Sequence, residues 1–182
     1  MTKLLSTEQM AEFANSGCLF FEGLIDEDIN KEFLNDIGHT DIDDVDNIQH
    51  YFQNIKSSSS IPRIPAGTAL KDAYPLNSPL EKIFKNEIVS GAINSLVGSK
   101  TVVDHQFLHL TFPSKYYAKA NQRQMSQVNH QDSTIDPRTT FDIQLFYFPT
   151  AVTKEMGGTR YHPGTHLRIV NEMGIAKYQN IK

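Results

Sequence analysis

The chain has 182 residues, of which 39% are hydrophobic and 21% are charged. This composition is typical of an ordinary globular protein rather than a disordered or fibrous one, and the length fits one domain with a substantial core. The formal net charge of -4 gives no electrostatic reason to expect nucleic acid as a partner, because phosphate binding needs concentrated Lys and Arg.

Cysteine usage and the N-terminal sequence predict the compartment. Cys18 is the single cysteine, so the chain cannot form an intramolecular disulfide, and its apolar neighbours predict a small buried side chain. The opening residues become polar too soon for a signal peptide, and no stretch approaches the roughly 18 apolar residues of a membrane span. We therefore expect a cytoplasmic protein with no membrane partner.

The first predicted helix follows a capping box. Ser6 is placed to cap the helix and Gln9 to bond back to the chain. The helix is predicted to continue to about Ser16 and to end at Gly17. The short apolar run over residues 18–21 predicts a buried strand.

A second helix is predicted between a cap at Asp26 and a stop at Gly38. Its apolar stripe is expected to consist of Ile29, Phe33, Leu34 and Ile37. Residues 39–77 then show little periodicity and predict a long loop region that can contain a short helix. Such loops are often lids or binding loops, and the alternative is a surface excursion without function.

The third predicted helix has the strongest start signal in the chain. Ser78 can cap it, Pro79 suits its first turn and Glu81 occupies the reciprocal position of a capping box. The helix is predicted to extend to about Val97 and to end at Gly98.

The sequence changes character after residue 100. Residues 101–112 and 141–148 are rich in β-branched and aromatic side chains, which predicts strands. A mainly helical part over 1–100 followed by strands over 101–182 indicates a single α+β domain. Its helices would pack on one side of a mainly antiparallel sandwich or barrel.

Alternation along residues 103–111 divides the side chains between two faces of a strand. One face carries His105, Phe107, His109 and Thr111, and the other carries Gln106, Leu108 and Leu110. The first face is a candidate cavity lining. The alternative is that His105 and His109 are ordinary hydrogen-bonded histidines of the core or surface.

His130-Gln131-Asp132 is a candidate metal motif. Side chains two residues apart on a strand share a face, so an imidazole and a carboxylate would project together from His130 and Asp132. They are two of the three ligands in the two-histidine, one-carboxylate triad of non-haem Fe(II) oxygenases. The motif alone is common, and the alternative is an Asx turn with a surface histidine.

The order of motifs extends this prediction. After His130-x-Asp132 come the strand over 141–148, a turn containing Gly157-Gly158, and Pro163-Gly164-Thr165-His166. In this order the chain resembles the phytanoyl-CoA dioxygenase family of Fe(II)- and 2-oxoglutarate-dependent oxygenases, whose PGSH motif here reads PGTH. The resemblance spans nearly the whole chain and implies a double-stranded β-helix, a cupin-like jelly-roll barrel with buttressing N-terminal helices.

The resemblance also implies the roles of particular residues. His130 and Asp132 would bind Fe(II), with 2-oxoglutarate as co-substrate in the hydroxylation of a small organic substrate. The residues implied to lie at or near the co-substrate pocket are His109, Thr111, Gln144 and Phe146. The residues implied to shape the structural turns are Gly158, Pro163, Gly164 and His166, and His166 is not expected to bind the metal.

In the family, a second metal-binding histidine and an arginine for 2-oxoglutarate come on later strands, whereas this sequence ends at Lys182. We therefore expect an incomplete oxygenase domain that lacks its last strands and is inactive by itself. Its open sheet edge could self-associate or pair with a partner chain. The alternative function is a non-catalytic jelly-roll binding module or pseudoenzyme remnant that acts through a partner. A metal-binding cupin is less favoured because its His-x-His motif is absent.

Overall fold

The computed structural model describes residues 2–40, 48–56, 61–110, 142–153, 156 and 158–167. Its helices are α1 (Thr7–Ser16), α2 (Glu27–Asp36), α3 (Ile48–Lys56), α4 (Pro79–Lys85) and α5 (Glu87–Val97). Its strands are β1 (Thr68–Ala69) and β2 (Val102–Val103), and short 3-10 helices span Leu70–Asp72 and Thr165–Leu167. Among the helices of these residues, none combines the length and apolar character needed to cross a membrane.

The described residues group into two compact units. Of the described residues, the first unit contains 2–5, 21–40, 48–56, 61–110 and 145–152, and the second contains 6–20, 142–144, 153, 156 and 158–167. The expected jelly-roll domain stays a prediction, because the sheet within the described residues consists of β1 and β2. These strands pair antiparallel, with Thr68 opposite Val103 and Ala69 opposite Val102.

A helical core organises the first unit. Helix α2 packs on α4, and α4 packs on α5. The buried apolar side chains are Phe33, Ile37, Tyr51, Ile55, Ala73, Ile83, Val89 and Ile93. A salt bridge of 2.5 Å joins Lys82 of α4 to Glu32 of α2. Because both side chains are partly exposed, the apolar contacts stabilise this packing more than the ion pair does.

The ends of α2 agree only in part with those predicted from the sequence. Asp26 precedes the helix, but its side chain caps no backbone N–H, so that part of the prediction is wrong. The predicted stop at Gly38 is confirmed. Gly38 adopts a left-handed conformation, its N–H donates to the Asn35 carbonyl (3.0 Å), and the His39 N–H donates to the Leu34 carbonyl (2.8 Å). These paired bonds are those of a Schellman motif.

The region predicted as one helix over 78–97 is two helices. Asn86 has an extended backbone (φ -52°, ψ 131°), and its side chain accepts the first N–H groups of α5. An Asn side chain competes with the helical backbone in this way, so the prediction of a continuous helix is wrong. The predicted cap is confirmed, because Ser78 accepts from the Glu81 N–H. The Glu81 carboxylate reaches past Ser78 and accepts from the Asn77 N–H (2.8 Å).

The first residues of the chain lie along α5. The Lys3 N–H donates to the Glu87 carbonyl (3.0 Å), and the Leu5 N–H donates to the Ser95 hydroxyl (3.0 Å). Gly91 lies between these two bonds, and a Cβ atom there would overlap the Lys3 carbonyl. This segment, residues 2–5, therefore depends on glycine at position 91 for its close approach to the helix.

Part of the region 39–77 belongs to the core. The short helix anticipated there is confirmed as α3, which buries Tyr51 and Ile55. The Tyr51 hydroxyl lies 2.7 Å from the His39 Nδ1 atom. An uninterrupted loop is therefore the wrong description of residues 48–56, and the lid hypothesis stays a prediction.

Helix α1 forms part of the second unit, and its start matches the sequence. The Ser6 hydroxyl accepts from the Gln9 N–H (3.2 Å), and the Gln9 side chain accepts from the Ser6 N–H (3.0 Å). This reciprocal pair confirms the predicted capping box. Gly17 ends the helix in a left-handed conformation (φ 80°), as predicted.

The residues that follow α1 differ from prediction. No strand forms over 18–21. Phe20 is 66% exposed, and the centroids of its ring and the Tyr161 ring lie 5.5 Å apart. The predicted buried strand is therefore wrong. Cys18 is half-buried rather than buried, and burial raises the pKa of its thiol, with a smaller contribution from the Glu12 carboxylate. A raised pKa disfavours the reactive thiolate.

Candidate functional site

Several of the predicted site residues lie outside the described part of the chain. His130, Asp132 and Thr111 are among them, so their predicted roles stay predictions. Within the described ranges, no group of three or more His, Cys, Asp or Glu side chains lies close enough together to hold a metal ion. The described residues by themselves therefore form no complete metal centre of this kind.

His109 belongs to a row of three rings on the exposed side of residues 105–109. We call this row, which consists of His105, Phe107 and His109, the first aromatic row. The His105 and Phe107 rings are nearly parallel, with centroids 5.8 Å apart and planes 7° apart. The Phe107 and His109 centroids lie 6.3 Å apart with a tilt of 53°. Phe107 is 64% exposed. The alternation predicted from the sequence holds here, since residues 106, 108 and 110 are less exposed.

The other side of this segment is anchored to the helices. Gln106 donates to the Pro62 carbonyl and accepts from the Tyr74 hydroxyl (2.8 Å). The Tyr74 ring stacks on Phe84 of α4, with centroids 4.9 Å apart and planes 12° apart. Burial raises the pKa of Tyr74 to about 12. Because Gln106 points toward α4, the first aromatic row points away from it.

A second aromatic row consists of Phe146 and Phe148. Their rings are nearly parallel (9°), their centroids lie 6.3 Å apart, and they are 56% and 50% exposed. Tyr147, between them, points the other way. Its hydroxyl donates to the Asn30 side-chain oxygen (2.6 Å). Its ring packs edge-on against the Phe33 ring, with the two centroids 5.3 Å apart. Burial raises the pKa of Tyr147 to about 12.

Each row points away from a helix of the first unit. Tyr147 is anchored on α2, and Gln106 is anchored through Tyr74 on α4. The first row therefore points away from α4 and the second points away from α2, and these two helices pack on each other. Of the predicted pocket residues, His109 and Phe146 lie on these rows. Gln144 is also exposed.

Sequence reasoning missed some residues that shape this surface. Phe148 follows Phe146 by two residues, so alternation alone could have placed it on the same face. Tyr74 and Asn30, which hold the segments in position, carry no sequence signal. Their role depends on side chains that are distant in the chain, 32 residues away for Tyr74 and 117 for Asn30.

The PGTH turn, in the second unit, lies against the end of α1. The Gly164 N–H donates to the Ser16 carbonyl (2.9 Å), and the His166 Nε2 atom lies 3.0 Å from the Ala14 carbonyl, to which it can only donate. Carbonyls in the last turn of a helix have no partner within the helix. The turn therefore satisfies two of the orphan carbonyls of α1.

Gly17 makes room for this arrangement. A Cβ atom at Gly17 would overlap the His166 Nδ1 atom. Nδ1 is buried and has no hydrogen-bond partner within the described residues. Both ring nitrogens of His166 thus face atoms at the end of α1. We call this arrangement of Gly164 and His166 on α1 the PGTH clasp.

The remaining motif residues lie in turns. The Gly158 N–H donates to the Thr153 carbonyl (3.3 Å). Pro163 is exposed and precedes Gly164, whose φ of 74° is left-handed. Glycine and proline are residues that turns of this kind favour.

Comparison of the chain with protein-family models, with curated proteins and with solved structures found no match. The resemblance to the phytanoyl-CoA dioxygenase family therefore rests on the order and content of the sequence motifs.

Proposed function

We propose that this chain contributes to an Fe(II)- and 2-oxoglutarate-dependent oxygenase that hydroxylates a small organic substrate. His130 and Asp132 are its proposed metal ligands. The structural observation that supports the proposal is that each aromatic row points away from the helix that anchors its segment, α4 for the first row and α2 for the second. A jelly roll buttressed by helices on one side has such a face, and that face lines the barrel interior.

The described residues fit the surroundings of such a site more than its metal centre. An iron site of this class needs a second histidine besides His130, and the described ranges bring no set of three ligands together. His109 and Phe146 are proposed to line the co-substrate pocket, and Thr111 and Gln144 are proposed on the sequence alone. Bound iron would supply the oxidation of 2-oxoglutarate to succinate and carbon dioxide, coupled to insertion of one oxygen atom of O₂ into the substrate.

The aromatic rows suit the shielding that this reaction requires. In the proposed barrel, apolar rings such as Phe107 and Phe146 would line the interior and keep water out of the space in front of them. Exclusion of water limits side reactions of reactive oxidants. In this proposal the protein positions and shields the reactants while the metal carries the oxidation chemistry.

The test is Fe(II) binding by the full chain, measured anaerobically by titration calorimetry with 2-oxoglutarate present. His130→Ala and Asp132→Ala should each weaken binding by more than about 10-fold, because the loss of a metal ligand exceeds the roughly 10- to 100-fold effect of an outer-shell loss. Asp132→Asn keeps the side-chain size and serves if the alanine variant misfolds. His162→Ala, at an exposed position, is the matched control and should bind as the wild type does.

Two results would contradict the proposal. Unchanged Fe(II) affinity in Asp132→Ala would show that this carboxylate is not a ligand. A wild-type chain that binds no Fe(II) would favour the second candidate function, a non-catalytic binding module, which the exposed aromatic rows also suit. Such a module would depend on a partner chain for solubility and would be indifferent to iron.

We also propose a cytoplasmic location and no nucleic-acid partner, which cell fractionation and a nucleic-acid binding assay would test.

A further inference from the structure

No further inference is drawn: the strongest candidate, the side-chain pair of Asp104 and His105 at the start of the first aromatic row, is more than half exposed, and within the described ranges no third His, Cys, Asp or Glu side chain lies close enough to form a metal site with it.

Discussion

Replacing Gly17 by alanine should destabilise the end of α1 through two separate effects. Gly17 has a φ of 80°, and a left-handed conformation costs a residue with a Cβ atom roughly 1–2 kcal/mol. The new Cβ atom would also overlap the His166 ring. The ring must then move, and the bond from Nε2 to the Ala14 carbonyl is lost, which costs roughly 0.5–1.5 kcal/mol.

A smaller effect acts in the opposite direction. Alanine restricts the unfolded chain more than glycine does, which stabilises the folded state by about 0.4–1 kcal/mol. The net destabilisation expected for Gly17→Ala is therefore about 2 kcal/mol. Such a loss is a substantial part of the stability of a typical small protein.

A double-mutant cycle separates the two effects. Urea unfolding of the wild type, Gly17→Ala, His166→Ala and the double variant gives the four free energies, and amide exchange of the Gly164 N–H reports the PGTH clasp directly. In the His166→Ala background, Gly17→Ala should cost about 1 kcal/mol, because only backbone strain remains. An identical cost in both backgrounds would refute the contact between Gly17 and His166.

Two further predictions concern the first unit. Gly91→Ala should detach residues 2–5 from α5, so amide exchange at Lys3 should accelerate markedly. Global stability should fall by only about 1 kcal/mol, because alanine favours the helix, and unchanged exchange at Lys3 would contradict the close packing. Tyr74 and Tyr147 have folded-state pKa values raised to about 12. Their contribution to stability is complete below the unfolded pKa of about 10 and is lost as pH rises through about 12. Tyr147→Phe should reduce this alkaline loss in urea unfolding between these pH values, and a pH profile identical to that of the wild type would argue against the burial of Tyr147.

Local signals predicted the helix ends well. The caps at Ser6 and Ser78 and the stop at Gly38 each depend on residues within a few positions of one another, so the sequence alone indicates them. The break at Asn86 was missed because an asparagine within an apolar pattern is compatible with either a helix interior or a cap. The strand expected over 18–21 was wrong because apolar residues do not by themselves reveal whether anything covers them.

The candidate site likewise has some features that the sequence predicted and others that it could not predict. Alternation along residues 105–109 assigned the side chains to two faces, and the structure has the same division. Which face meets the helices was not predictable, because that depends on the distant partners Tyr74 and Asn30. The PGTH motif suggested a turn, but its contact with α1 involves residues 152 positions apart. No local pattern encodes a contact of that kind.

The PGTH clasp has a consequence for the order in which the protein folds during synthesis. Helix α1 carries its own start signal at Ser6 and can form early, because its bonds are local. The partner for the Ala14 carbonyl is 152 residues further along, and it becomes accessible only after nearly all of this sequence has left the ribosome. Until then the last turn of α1 frays in water, and the second unit is completed only after residues 164–166 have been synthesised rather than when α1 first forms.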